Sequence, residues 1–193
     1  RSLADAGYDV TLVAPRSSDG VVDGVNCRAL TTSRSRLERM VIAPWHVFSI
    51  ARHFDIIHFH DPELIFIGLL LQALGKPVIY DVHEDLPRAV EYKYWIPAPW
   101  RRTVAWLTEA VETRAARAFA CIVAATPIIA ARFPQETTIT VQNFPILNEW
   151  NSSGWIPYSR RPPYFLYVGN IAQSRGAIQM VDALGQPPIP LDT

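Results

Sequence analysis

Two short runs concentrate the residues able to do acid–base or ligand chemistry: His58-Phe-His60-Asp61-Pro62-Glu63 and Asp81-Val-His83-Glu84-Asp85. Each follows an apolar stretch that reads as a strand, so both fall at strand carboxyl ends, where open parallel sheets bind their ligands. A period of two puts His58 and His60 on one face of the first strand, and Asp81 and His83 on one face of the next. Histidine changes charge near neutral pH, and carboxylates beside it orient the ring. His83 stands apart, because it lies past the last apolar strand residue and within a run of acids. Plainer roles compete at the other positions: His58 as a hydrogen-bonded core histidine, Asp61 as a helix cap, Glu84 and Asp85 as solvated loop charges. Histidines spaced H-x-H near carboxylates also suit zinc or manganese in a hydrolase, through His58, His60 and Asp81, although the pattern is short and common.

A second constellation lies late in the chain. Val168-Gly169-Asn170 leads through a glycine turn to Arg175-Gly176 at the start of a helical pattern. Unpaired N–H groups at a helix N-terminus and a guanidinium beside them make a phosphate cradle. The competing reading is a surface arginine at a helix start. A third feature is physical: Trp95, Trp100, Arg101, Arg102 and Trp106 crowd the beginning of one helix. Tryptophan among arginines suits a membrane interface or an amphiphilic acceptor; packing of Trp106 under a neighbouring loop is the alternative.

The elements that must position these residues alternate. Residues 1–7 read as the end of a helix stopped by Gly7, and residues 8–14 and 25–30 as strands. Residues 36–53 have helical spacing interrupted by Pro44, and 56–60 form a strand. A helix follows from Asp61-Pro62 to about Leu74, then a strand over 78–82. A long helix is expected over 100–119, with Trp100, Val104, Leu107, Val111, Ala115 and Phe119 facing the core. Strands at 121–125 and 138–142 flank a short helix at 127–132. This order predicts an α/β domain whose parallel sheet carries helices on both faces. Residues 1–145 form that domain, the proline-rich stretch 146–163 a linker, and 164–193 the beginning of a second α/β unit with a strand at 164–168 and a helix at 176–184. A chain opening inside a helix and ending within a new unit reads as truncated at both ends.

Bulk properties narrow the classes. Among 193 residues, Lys+Arg and Asp+Glu both total 18, so no net charge attracts nucleic acid. Cys27 and Cys121 sit in apolar runs without metal-ligand spacing and read as reduced core thiols of a cytosolic protein. No signal peptide is visible, and the most apolar stretch, 64–71, is far short of the roughly 20 residues that span a bilayer.

With these motifs in hand, the chain resembles glycosyltransferase family 4. The resemblance rests on Leu3-Ala-x-Ala-Gly7-Tyr-x-Val10-Thr-Leu-Val-Ala14, Asp55-Ile-Ile-His-Phe-His-Asp-Pro62, Pro77-Val-Ile-Tyr-Asp-Val-His-Glu84, Ala125-Thr-Pro127, Asn143-Phe-Pro145, and Tyr167-Val-Gly169 followed by Arg175-Gly176. It implies a GT-B fold, two Rossmann-like domains across a cleft, the first taking an acceptor and the second a nucleoside-diphosphate sugar. It implies retention of anomeric configuration, no cofactor and no required metal, and work on a polysaccharide, lipopolysaccharide or glycolipid in the cytoplasm or peripherally at the inner membrane face. Carried over by position, His83 is the active-site histidine, with Asp81 and Glu84 beside it; His60, Asp61, Glu63 and Thr126 line the acceptor side. Gly169, Asn170, Arg175 and Gly176 receive the donor phosphates. Three departures stand out. The family's glycine-rich loop is expected before residue 1, its paired glutamates after Thr193, and Asn170 replaces a basic residue. The 193 residues alone are therefore expected to be inactive. Rival readings are a nucleotide-sugar epimerase of the same fold, the metal-dependent hydrolase, and a non-catalytic partner domain.

Overall fold

The computed structural model describes residues 1–30, 36–93, 95–144, 156–162, 165–169, 171 and 175–186, with the backbone alone for 36–41. The chain divides into two compact units, Arg1–Asn143 and Phe144–Thr193.

The first unit alternates helices and strands: α1 (Ser2–Asp5), β1 (Thr11–Pro15), β2 (Gly20–Val22), β3 (Val25–Leu30), α2 (Arg36–Ala51), β4 (Ile57–Phe59), α3 (Ile65–Ala73), β5 (Val78–Val82), α4 (Leu86–Glu91), α5 (Ala98–Ala116), β6 (Cys121–Ala124), α6 (Pro127–Ala130) and β7 (Thr138–Thr140). Strands β4-β5-β6-β7 form an all-parallel sheet in that order, flanked by helices, which makes the unit Rossmann-like. β1, β3 and β2 form a separate three-stranded sheet, parallel at β1/β3 and antiparallel at β2/β3. β2 is absent from the sequence expectation. Asp23 (φ 49°) and Gly24 (φ 75°) both take left-handed backbone and close a two-residue turn, the geometry that Asp-Gly favours in hairpins.

The main core lies around the four-stranded sheet. β4 buries Ile57 and Phe59 and exposes His58; β5 buries Val78, Tyr80 and Val82 against the same cluster. The Phe59 ring stacks on Tyr80 with centroids 4.8 Å apart, and Phe119 meets Phe59 edge-on at 5.6 Å. Helix α3 comes close to these rings at Gly68, where an added Cβ would lie 2.8 Å from Phe59 Cε1 and 3.1 Å from Phe119 Cε1. Only a residue without a side chain fits that approach.

Helix α5 corrects the expected apolar stripe. It begins at Ala98, and its buried residues are Ala105, Glu112, Ala115 and Ala116, while Trp100, Leu107 and Val111 are exposed. The rotation has a physical cause. Small alanines allow a close approach, and Glu112 turns inward because Tyr80 and Arg132 bind it. Helix α4 is a further departure from the sequence reading, started by Pro87 in its first turn.

The second unit contains a 3-10 turn at Tyr158–Arg160 and α7 (Ala177–Leu184), the latter as the sequence predicts. The expected strand at 164–168 is not formed over the described residues 165–168. A strand needs a neighbour for its N–H and C=O groups, and no described segment of this unit supplies one. Residues 146–155 and 163 of the expected linker lie outside the described residues. Among the described residues, no helix is long and apolar enough to cross a membrane.

Candidate functional site

The register of the sheet assembles the site. Phe59 pairs with Tyr80, so the next residues along the parallel strands, His60 and Asp81, emerge side by side, with His58 behind and His83 ahead. Alternation keeps Ile57 and Phe59 in the core and turns His58 outward, and His60, directly after β4, is exposed as well. The same alternation does not expose Asp81, which is buried at the sheet end while His83 is exposed.

Four side chains converge there. His58 Nε2 lies 3.0 Å from Asp81 Oδ2, a hydrogen bond, and His60 Nδ1 lies 3.3 Å from the same oxygen. His83 Nδ1 is 3.5 Å from Asp81 Oδ1. His60 Nδ1 and His83 Nε2 share a 2.6 Å hydrogen bond, one nitrogen donating and the other accepting according to tautomer, and their rings stack at 4.8 Å. The rings of His58 and His60 lie 5.0 Å apart. One carboxylate thus has three imidazoles within 3.5 Å, of which His58 is hydrogen-bonded to it. Partial burial, with the neighbouring His58 and His83, holds the His60 imidazole below its ordinary value, against the opposing pull of Asp81 and Asp61. These influences favour the neutral form of the His60 ring, which can both donate and accept a hydrogen bond. The reading of His58 as a core histidine is corrected: it is exposed and tied to Asp81, because it occupies the outward phase of its strand.

The remaining predicted residues separate into three groups. Asp61, Glu63 and Glu84 are exposed on the loops that follow β4 and β5. Asp61 takes the N-cap position of a 3-10 turn, Pro62–Leu64, without a side-chain cap bond. Thr126 caps α6, its hydroxyl accepting from Ile129 N–H at 3.2 Å. In the second unit, Gly176 (φ 73°) occupies the N-cap of α7 with Arg175 before it, while Gly169 is described and Asn170 lies outside the described residues.

Sequence reasoning misses the network beneath the site. Glu112 is buried at 1% relative exposure; Tyr80 Oη donates to its Oε1 at 2.7 Å, and Arg132 Nη2 to its Oε2 at 2.8 Å. Arg132 Nη1 reaches Asp85 Oδ1 at 3.2 Å, an ion-pair distance without hydrogen-bond alignment. Asp85 also meets Arg88 Nε at 3.3 Å. Burial, reinforced by Glu112, pushes the Tyr80 phenol far above its usual range and keeps it a donor. The chain from core to the loop after His83 therefore runs Tyr80, Glu112, Arg132, Asp85. The one available sequence signal was Glu112 standing in phase with Ala105, Ala115 and Ala116 on an alanine-rich helix face.

A parallel sheet flanked by helices, with a histidine–carboxylate cluster at the carboxyl ends of two adjacent strands, is a Rossmann-like domain. The chain belongs to the glycosyl transferase 4-like domain family, whose match covers residues 1–137. It is a glycosyltransferase domain, and its substrates are accordingly a sugar donor and an acceptor. No curated protein gives a significant match to the chain.

Proposed function

We propose that the protein moves a hexose from a nucleoside-diphosphate sugar to a glycan or lipid-linked acceptor with retention, in polysaccharide, lipopolysaccharide or glycolipid synthesis. The observation that carries this reading is the cluster of His83, Asp81, His60 and His58 at the ends of β4 and β5. In the reaction, the bond from the anomeric carbon to the diphosphate oxygen breaks while the acceptor hydroxyl oxygen bonds the same face of that carbon. The hydroxyl proton ends on the departing diphosphate. His83 orients the sugar by hydrogen bonding, and Asp81 holds the His83 ring; Glu84, His60, Asp61, Glu63 and Thr126 belong to the acceptor side in this reading. Negative charge grows on the leaving group, so stabilisation by cations and helix ends dominates the rate. In the second unit, Arg175 and the N-terminus of α7 are assigned that task, with Gly169, Asn170 and Gly176 around them. No metal is required. The test is a panel of labelled nucleoside-diphosphate sugars incubated with the intact protein and candidate acceptors. Labelled acceptor should form together with an equal amount of nucleoside diphosphate. Isomerised donor without acceptor consumption would overturn the reading in favour of an epimerase.

The acceptor is proposed to be reached at a membrane surface, from the cytoplasmic side. Trp95, Trp100 and Trp106 are all exposed, and Trp106 lines a recess with Arg102, Arg88 and Glu109 rather than packing under a loop. Arg102 is exposed as well, whereas Arg101 is turned inward, donating from Nε to the Ile96 carbonyl at 2.9 Å. Tryptophan at a headgroup boundary with arginine beside it anchors a protein peripherally. Trp106→Ser should reduce co-sedimentation with anionic liposomes; binding equal to wild type would remove the membrane assignment.

A further inference from the structure

The histidine cluster has a property that a hydrogen-bond network does not use up. His60 Nδ1 has one in-plane valence, a proton or a lone pair, yet it faces both Asp81 Oδ2 at 3.3 Å and His83 Nε2 at 2.6 Å. Asp81 Oδ2 in turn faces both His58 Nε2 and His60 Nδ1. The atoms converge on a point where a single cation would satisfy several lone pairs at once.

We propose that His58 Nε2, His60 Nδ1 and Asp81 Oδ2 form a binding site for one first-row divalent transition ion of the zinc type. Ligands about 2.0–2.1 Å from a tetrahedral ion stand about 3.3 Å from one another. The separations from Asp81 Oδ2, 3.0 and 3.3 Å, match that edge. All three ligand atoms lie within 4.8 Å of one another, so a small closure of the two rings completes the arrangement. His83 is not a fourth ligand, since 2.6 Å from its Nε2 to His60 Nδ1 is too short for two ligands of one ion, and His60 gives up that hydrogen bond when its one in-plane lone pair takes the ion. The other positions fall to water. Two imidazoles and one carboxylate select zinc, cobalt, nickel or copper over magnesium and calcium, which prefer all-oxygen sets. The side chains are accessible, with His58 33% and His60 51% exposed, and Asp81 at 12% is held by the sheet end.

The ligands come from a rigid frame. His58 lies on β4 and His60 directly after it, while Asp81 is paired with Val123 inside β5 and follows Tyr80, the partner of Phe59, so backbone register fixes their spacing. Oδ1 of Asp81 remains directed at His83 Nδ1, the carboxylate–histidine contact that orients side chains around bound ions. The assignment makes no use of the transfer reaction, and transfer does not require the ion. It stands or falls on metal binding alone.

The experiment is calorimetric titration of EDTA-stripped, desalted intact protein with zinc chloride at pH 7.5, paired with cobalt substitution followed by absorption. The expected result is saturation at about one ion per chain, weakened by at least about tenfold in both His58→Gln and His60→Gln. Cobalt should give visible d–d bands of nitrogen and oxygen ligation without a thiolate charge-transfer band, a readout made on the wild-type protein and independent of whether the variants fold. Cys27→Ser and Cys121→Ser should bind as wild type. Absence of saturable zinc binding, affinity unchanged in both histidine variants, or a thiolate band from cobalt would each overturn the site.

Discussion

Glu112→Ala should lower the unfolding free energy by about 3–5 kcal/mol, the loss typical of removing one partner from a buried ion pair. Two groups depend on that carboxylate. The Tyr80 hydroxyl loses its acceptor inside the core, and Arg132 loses the partner at 2.8 Å that satisfies its Nη2. A guanidinium with a side chain only 14% exposed is then left with Asp85 alone, at 3.2 Å and without hydrogen-bond alignment. Neither Tyr80 nor Arg132 can reach bulk water readily, so each retains much of the desolvation cost of an unmet donor. The triple variant Tyr80→Phe, Glu112→Leu, Arg132→Met should recover most of the loss, because it removes the phenol donor, the guanidinium and the carboxylate together and leaves a packed apolar cluster. Urea unfolding monitored by circular dichroism measures both, at unchanged m-value. A loss under about 1 kcal/mol for Glu112→Ala would show that the network contributes little beyond ordinary surface pairing.

How far the sequence exposed this fold depends on the range over which each signal acts. Strands β4, β5 and β6 were legible because apolar runs bounded by turns are a local pattern, and the parallel sense of their sheet followed from strands alternating with helices. The facing of His58 with His60, and of Asp81 with His83, was legible for the same reason, since a period of two is fixed by the backbone. The contact between the two pairs was not, because register is set by packing between strands, here between residues 23 positions apart in the chain. Helix α5 was legible as an element and misjudged in orientation. Counting apolar positions gives Leu107 and Val111 the inward face, but Tyr80 and Arg132 supply Glu112 with partners that no local pattern reveals. The position of His58 inside a strand suggests a hydrogen-bonded core histidine; the hydrogen bond to Asp81 is present, but the strand phase turns the ring outward. The Asp23-Gly24 turn carried a local signal for β2 that the sequence reading left unused.

His83→Ala should cost at least about 100-fold in kcat for transfer, the scale set by losing a group that holds the reacting sugar in position. Its ring is 45% exposed at the end of β5 and contributes nothing to the core cluster, so the variant should fold as wild type. Asp81→Asn should lose activity as well, but less, because it removes the anchor that holds the ring and leaves the ring itself in place. Steady-state turnover of wild-type and His83→Ala protein, with the nucleotide sugar that the panel identifies, addresses the claim at its centre: that the strand-end histidine handles the reacting sugar. The account predicts the fall in kcat with KM changed by no more than a few fold and an unaltered melting temperature. A correctly folded His83→Ala protein turning over within about twofold of wild type would contradict it.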